Sequence, residues 1–369
     1  MRKGLAAAGV VALITAGSAA CGADKTTPQG RVGDAFQKLG RQKTVTLGLS
    51  FDGSTDQIYT AMKNEDGFNQ DDAKLLSSLR LSLSVSSQKS FSVLSKKTSG
   101  KGSAVDFSLF SDDSGDQSLA EIRMVDQKLY LRADIKGLEK LDTSPSDSKG
   151  IDSFNQFVDQ ADQLPSNLAA VKAAIKGQWI SLDPKAWEAF AKSLGSTGGS
   201  GSGTATTPTL SPQQQQQLVA GLEKALTANV TYAELGSKGG ADHVKVTVPA
   251  RQFTKDVATD LAPVLKQIPG FKQSDLDDAE NGKNVPNKNL SVDVAVKNGS
   301  ISAVTFDVAQ LDTKVVGSLP LTLTLDGSAK AVSAPAGAQT LNPQDIMSLV
   351  MSMNGGSDDT SSGSGNSIF

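Results

Sequence analysis

The chain has 369 residues, one cysteine, one histidine and a formal net charge of −3. That length suits one large domain or two modest ones, and the mildly acidic balance argues against a nucleic-acid partner. A single cysteine rules out an intramolecular disulfide, so the folded part must be held by its core.

The chain opens with the order of an export signal. Arg2 and Lys3 precede an apolar run from Leu5 to Ala16, which is shorter than the roughly 20 apolar residues that span a bilayer. Ser18, Ala19 and Ala20 then put small residues directly before Cys21, as at a signal cleavage site. This arrangement resembles the lipobox of bacterial lipoproteins, with Ser18 where Leu is usual. The resemblance implies a signal peptide over residues 1–20 and acylation of the Cys21 thiol, with palmitate-type chains. It also implies anchoring at the extracytoplasmic face of the cell membrane. Two acyl chains make a stable anchor, because each buried CH₂ contributes about 0.8 kcal/mol. Residues 21–32 follow as a lipidated, polar tether.

From residue 44 onward, many segments alternate with period two, the mark of strands with one buried face. Val45, Leu47, Leu49 and Phe51 share one face, as do Leu79, Leu81, Leu83 and Val85. Val105, Phe107 and Leu109 continue the pattern. Ala120, Ile122 and Met124 lead through Asp126-Gln127 into Leu129, Leu131, Ala133 and Ile135, which reads as a hairpin. Further on come Val244, Val246 and Val248, then Leu290 to Val296 in alternation. Asn298-Gly299 follows at once, the preferred pair for a tight type I′ turn. Its return strand is expected to bury Ser302, Val304, Phe306 and Val308, and Leu319 to Leu325 alternate once more. The opposite faces carry Ser, Thr, Lys, Arg and Asp. Parallel strands would read as continuous apolar runs, so this alternation predicts an antiparallel sheet with one wet face.

Amphipathic helices are expected to cover the other face. An early helix is read at Val32–Leu39. Phe154, Phe157 and Val158 are spaced as one helix face, and Leu168, Val171 and Ile175 as another. Pro184 suits a first helical turn and is followed by Trp187 and Phe190. Ser211-Pro212 opens a helix with Leu218, Leu222 and Leu226. Phe253, Val257, Leu261, Val264, Leu265 and Ile268 make the strongest stripe, over residues 251–268. The fold class is therefore α+β, a large antiparallel sheet with helices packed on one face. Residues 33–335 read as a single domain with a Gly/Ser-rich insertion at 195–211. Residues 336–369 read as a mostly disordered C-terminal segment.

Catalytic and metal-binding patterns are missing. His243, the only histidine, shares a strand face with Lys245 and Thr247 and reads as an exposed surface residue. One histidine and no thiol in the mature chain argue against Ser-His-Asp, Cys-His and most zinc sites. Asp275, Asp277, Asp278 and Glu280 cluster without the glycine and terminal glutamate of a calcium loop. They read as a solvated acidic loop. No enzyme, cofactor or metal is expected.

The segment Met124-Val125-Asp126-Gln127-Lys128-Leu129-Tyr130-Leu131-Arg132 is followed by Lys176-Gly177-Gln178-Trp179-Ile180-Ser181-Leu182-Asp183. Together with the lipobox, tether and early helix, this resembles the LolA-like and LppX/LprG-like lipoproteins of actinobacteria, loosely over residues 33–330. The chain is longer than the usual members, with extra helices at 150–176 and the insertion at 195–211. The resemblance implies a half-barrel, a strongly curved antiparallel sheet with helices in its concave face and an apolar cavity for acyl chains between them. The implied function is lipid binding or transport by a membrane-anchored monomer. Phe154, Phe157, Trp187, Phe190, Phe253, Val257 and Leu261 are the candidate lining residues. The same residues would be ordinary core if sheet and helices close on each other. The alternative is a non-catalytic envelope sensor or scaffold that acts through protein contacts.

Overall fold

The computed structural model describes residues 24, 26–90, 102–112, 115, 117–141, 158–195, 230–266, 273–281, 285 and 287–354. In chain order, the described elements begin with α1 (Pro28–Gly40), β1 (Thr44–Phe51), α2 (Thr55–Met62), α3 (Gln70–Ser78), β2 (Leu79–Ser87) and β3 (Ser103–Ser111). Strands β4 (Ala120–Val125) and β5 (Lys128–Ala133) follow. Next come α4 (Ile135–Glu139), α5 (Ala169–Ile175), β6 (Ile180–Leu182), α6 (Pro184–Gly195), β7 (Thr231–Lys238) and β8 (Ala241–Pro249). The chain continues with α7 (Ala250–Leu265), α8 (Gln273–Glu280), β9 (Asn289–Lys297), β10 (Ser300–Asp307), β11 (Pro320–Asp326), β12 (Gln339–Thr340) and α9 (Pro343–Asn354). The class is α+β, built on a large, open and mostly antiparallel sheet.

Two compact units divide the chain. The larger comprises residues up to Asp126 and Gly203–Ser333, and the smaller comprises Gln127–Ser202 and Ala334–Phe369. In the larger unit the strand order is β4-β3-β2-β1-β11-β10-β9-β8-β7, and every neighbouring pair is antiparallel. The Asn298-Gly299 turn has both residues at positive φ, 52° and 68°, as a type I′ hairpin needs. One expectation fails in β10. A bulge between Ile301 and Ala303 shifts the register, so Ile301 is buried with Val304 and Phe306 in place of Ser302. The extra residue of a bulge moves the alternation by one. Val308 has already left the strand for a short 3₁₀ turn.

The main core of this unit lies where α1 crosses the sheet. Thr27 caps the helix by accepting from the Gly30 N–H, with Pro28 in its first turn. Val32 and Ala35 then pack with Phe36 and Leu39 onto Val244, Val292, Val294, Ile301, Val304 and Phe306. The sequence reading missed α2 and α3, although both carry capping boxes: Ser54 with Gln57, and Asn69 with Asp72. Each box satisfies two backbone donors reciprocally. These helices bury Ile58, Ala61 and Ala73 against Leu319, with Phe51 and Phe68 beside them.

The smaller unit has the strand order β12-β6-β5, with β12 parallel to β6. Its core is Leu168, Val171, Ile175, Ile180 and Leu341. Gly177 ends α5 at φ +68, and a Cβ there would meet the Ala133 carbonyl at 3.1 Å. That explains the glycine of the Gly-x-Trp segment. The Trp179 ring of the same segment lies 5.5 Å from the Arg132 guanidinium carbon, and Tyr130 pairs with Ser181 across β5 and β6. Part of the stretch after residue 335, expected to be mostly disordered, forms β12 and α9. The Asp345 carboxylate accepts from the Asn342 backbone N–H at the start of the helix, whose first residue is Pro343.

Candidate functional site

Strand register builds one continuous apolar face in the larger unit. Across β1 to β4 it aligns Val45, Val85, Val105 and Met124. The next row is Leu47, Leu83, Phe107 and Ile122, and the third is Leu49, Leu81, Leu109 and Ala120. Successive residues on a strand point to opposite sides, so all three rows face the same way. The face continues through Leu325 and Leu323 of β11 to Val304 of β10. There it lies under α1.

Over β2, β3 and β4 this face carries exposed side chains. Leu81 is 37% exposed, Phe107 41%, Ile122 44% and Met124 55%. Neighbouring Leu83, Val105 and Leu109 are half-buried. Single exposed apolar residues are unremarkable, but a contiguous set is informative. These four span three adjacent strands.

The opposite face of the same strands shows the reverse. Ser86, Ser108 and Glu121 are buried, and Asp106 and Arg123 are half-buried. The chain after β11 runs over this side, where the Val332 N–H donates to Ser86 Oγ at 3.1 Å and Arg123 donates to the Ser333 carbonyl at 3.3 Å. Beneath it, Arg123 Nε lies 2.8 Å from Asp106 and 2.7 Å from Glu121. Ser118 donates to Glu121, and Ser108 to Asp106. Burial lifts the Asp106 carboxyl above its usual range; the Ser108 hydrogen bond opposes this, Glu121 beside it adds to it, and Arg123 opposes it. Burial also opposes the Glu121 charge, but Ser118, Asp106 and Arg123 together bring that carboxyl below its usual range. In this part of the sheet, the polar face is therefore the covered one and the apolar face the open one. The expected single wet face, lined by polar residues, is inverted here.

The residues expected to line a cavity fall in different places. Cys21, Phe154 and Phe157 lie outside the described residues, as do Leu218, Leu222, Leu226 and Ile268. Trp187 and Phe190 are on α6 in the smaller unit, where their rings meet edge to face at 6.3 Å. The Trp187 indole donates to the Leu341 carbonyl, and its ring packs on the core of that unit. Phe253, Val257 and Leu261 are half-buried on α7 in the larger unit. The side of α7 that is packed away carries smaller residues, Ala258 and Ala262, against Leu276 of α8. His243 is not simply exposed: its Nδ1 is 2.9 Å from Asp293 across β8 and β9. Among the described residues no group of three His, Cys, Asp or Glu is placed to hold a metal.

The exposed residues of β2–β4 were thus missing from the sequence-based site. Their alternation was visible, but alternation says which residues share a face and not whether anything covers it.

The fold and its open face define an α+β protein with a large antiparallel sheet. No family model matches the chain, and no curated protein matches it. Among solved structures it is similar to the lipoprotein LppX of Mycobacterium tuberculosis, at 10% identity and a TM-score of 0.28, covering 82% of this chain and 96% of that one. At that distance the likeness assigns no function.

Proposed function

We propose that this chain is a non-enzymatic, membrane-tethered extracytoplasmic lipoprotein. In this reading it holds the acyl chains of a lipid against the open apolar face of β2–β4. The observation that carries it is the inverted burial: Phe107, Ile122 and Met124 stand open while Ser108 and Glu121 on the same strands are buried. An unliganded sheet gains nothing by exposing its larger apolar side chains, whereas an acyl chain laid across them is removed from water. The four exposed residues leave roughly 300 Å² open, which at about 25 cal/mol per Å² gives about 7 kcal/mol of gross driving force. Ordering the ligand consumes part of that. The tether is supported by Cys21 and the small residues before it.

Native mass spectrometry of the protein purified without added lipid tests this reading. Mass adducts that fragment to acyl chains are expected. A clean apo mass that stays clean after incubation with fatty acid would contradict it. The open face would then belong to a protein partner.

A further inference from the structure

At the amino end of α7, the chain forms a cleft of about 170 Å³ lined by Pro249, Arg251, Gln252, Lys255, Asn287, Lys288 and Asn289. Three of these residues are cations, and no carboxylate is among the lining residues. The Arg251 guanidinium donates twice to one neutral acceptor, the Val285 carbonyl, and has no ion pair among the described residues. Lys255 and Lys288 make no side-chain hydrogen bond or ion pair among the described residues, and neither do the Asn287 and Asn289 amides. Gln252 is tied to Asp256, one turn along the helix and outside the cleft. Three like charges brought together in one concavity repel each other, and among the described residues no carboxylate pairs with any of them. The concentration is notable in a chain whose formal net charge is −3.

We propose that this cleft binds a phosphate-bearing anion. The donor set suits that chemistry. Guanidinium and ammonium groups make short, charge-assisted bonds to phosphate oxygens, and the asparagine amides supply neutral donors at the rim. A concave wall of protein also focuses the positive field more than a flat surface would. The anion comes either from a lipid headgroup or from free phosphate, which the same contacts would hold.

The full chain carrying Cys21→Ser is titrated with inorganic phosphate, with sodium chloride at matched ionic strength as the control, while the side-chain amide signals of Gln252, Asn287 and Asn289 are followed by NMR. Saturable shifts with phosphate and none with chloride are expected. Lys255→Gln/Lys288→Gln should weaken binding about tenfold or more. Its thermal melt should be no lower than the parent's, because neither side chain is bonded among the described residues and removing two like charges relieves repulsion. A second arm measures flotation with phosphatidylcholine vesicles, with and without phosphatidylglycerol. Lysine-dependent gain on phosphatidylglycerol identifies a headgroup as the source, and a response to phosphate alone identifies the free ion. Equal shifts with chloride, or binding unchanged in the double variant, would overturn the proposal. The assay needs no acyl chain on the sheet, so its result stands apart from that of the lipid-binding reading.

Discussion

Phe107→Thr separates an open binding face from an ordinary core. Thr keeps strand propensity, so the change removes the ring and little else. Phe107 is 41% exposed, and full burial of such a ring stabilises by about 1.5–3 kcal/mol. Removing it should therefore cost about 1–2 kcal/mol of folding stability. Phe306, on the same face under α1, is 3% exposed, and Phe306→Ala should cost about 3–5 kcal/mol. The exposed part of Phe107 amounts to about 80 Å² of a ring that presents about 200 Å². An acyl chain that covers it gains about 2 kcal/mol, so Phe107→Thr should weaken acyl-chain binding about 30-fold. Urea melts and a fluorescent fatty-acid titration measure the two quantities on the same protein. If Phe107→Thr costs as much stability as Phe306→Ala and leaves fatty-acid affinity unchanged, Phe107 is core and not part of an open binding face.

Other expectations come from the charged groups and the tether. Arg123→Met strands the Asp106 and Glu121 carboxylates under the chain after β11 and should destabilise by about 3 kcal/mol at pH 7. Lowering the pH protonates the stranded pair, beginning with Asp106, whose carboxyl is already raised. Urea melts should therefore show a smaller loss at pH 5 than at pH 7, and a pH-independent loss would contradict the assignment. Asp162 pairs with Lys176 and Lys172, and hydrogen bonds from these two lysines hold its carboxyl down at about 2. Lys176→Gln should let it rise toward the ordinary value of 3.8, read by carboxyl-carbon NMR over an acid titration; an unmoved midpoint would refute the pairing. Cys21→Ser should shift the protein from the membrane fraction to the medium or leave an unprocessed precursor. Wild-type fractionation of that variant would end the lipoprotein reading.

Much of the sheet was legible because its physics is local. Alternation located the strands, and Asn298-Gly299 gave its turn outright, because only residues tolerant of positive φ fit there. Two things were not legible. The bulge at Ile301 and Ala303 depends on how β10 meets β9, so the sequence pattern put Ser302 where Ile301 belongs. The short helices α2 and α3 carry their signal in capping residues more than in a long apolar stripe. For the candidate site, period two grouped Leu81, Phe107, Ile122 and Met124 correctly. Whether a helix lies over a face is a long-range outcome, however, and no local pattern records it. Large helical residues such as Phe253 and Trp187 carry the stronger local signal for a lining. Trp187 is engaged with the core of its own unit, and α7 packs against α8 through its alanines.

In the proposed function acyl chains lie on β2–β4. Photo-crosslinking with a diazirine-bearing fatty acid, followed by peptide mapping, measures that contact directly. Labels are expected on the peptides that carry Leu81, Phe107, Ile122 and Met124, with competition by unlabelled fatty acid and loss in Phe107→Thr. Labelling confined to other surfaces, or labelling of these peptides that unlabelled fatty acid does not compete away, would contradict it.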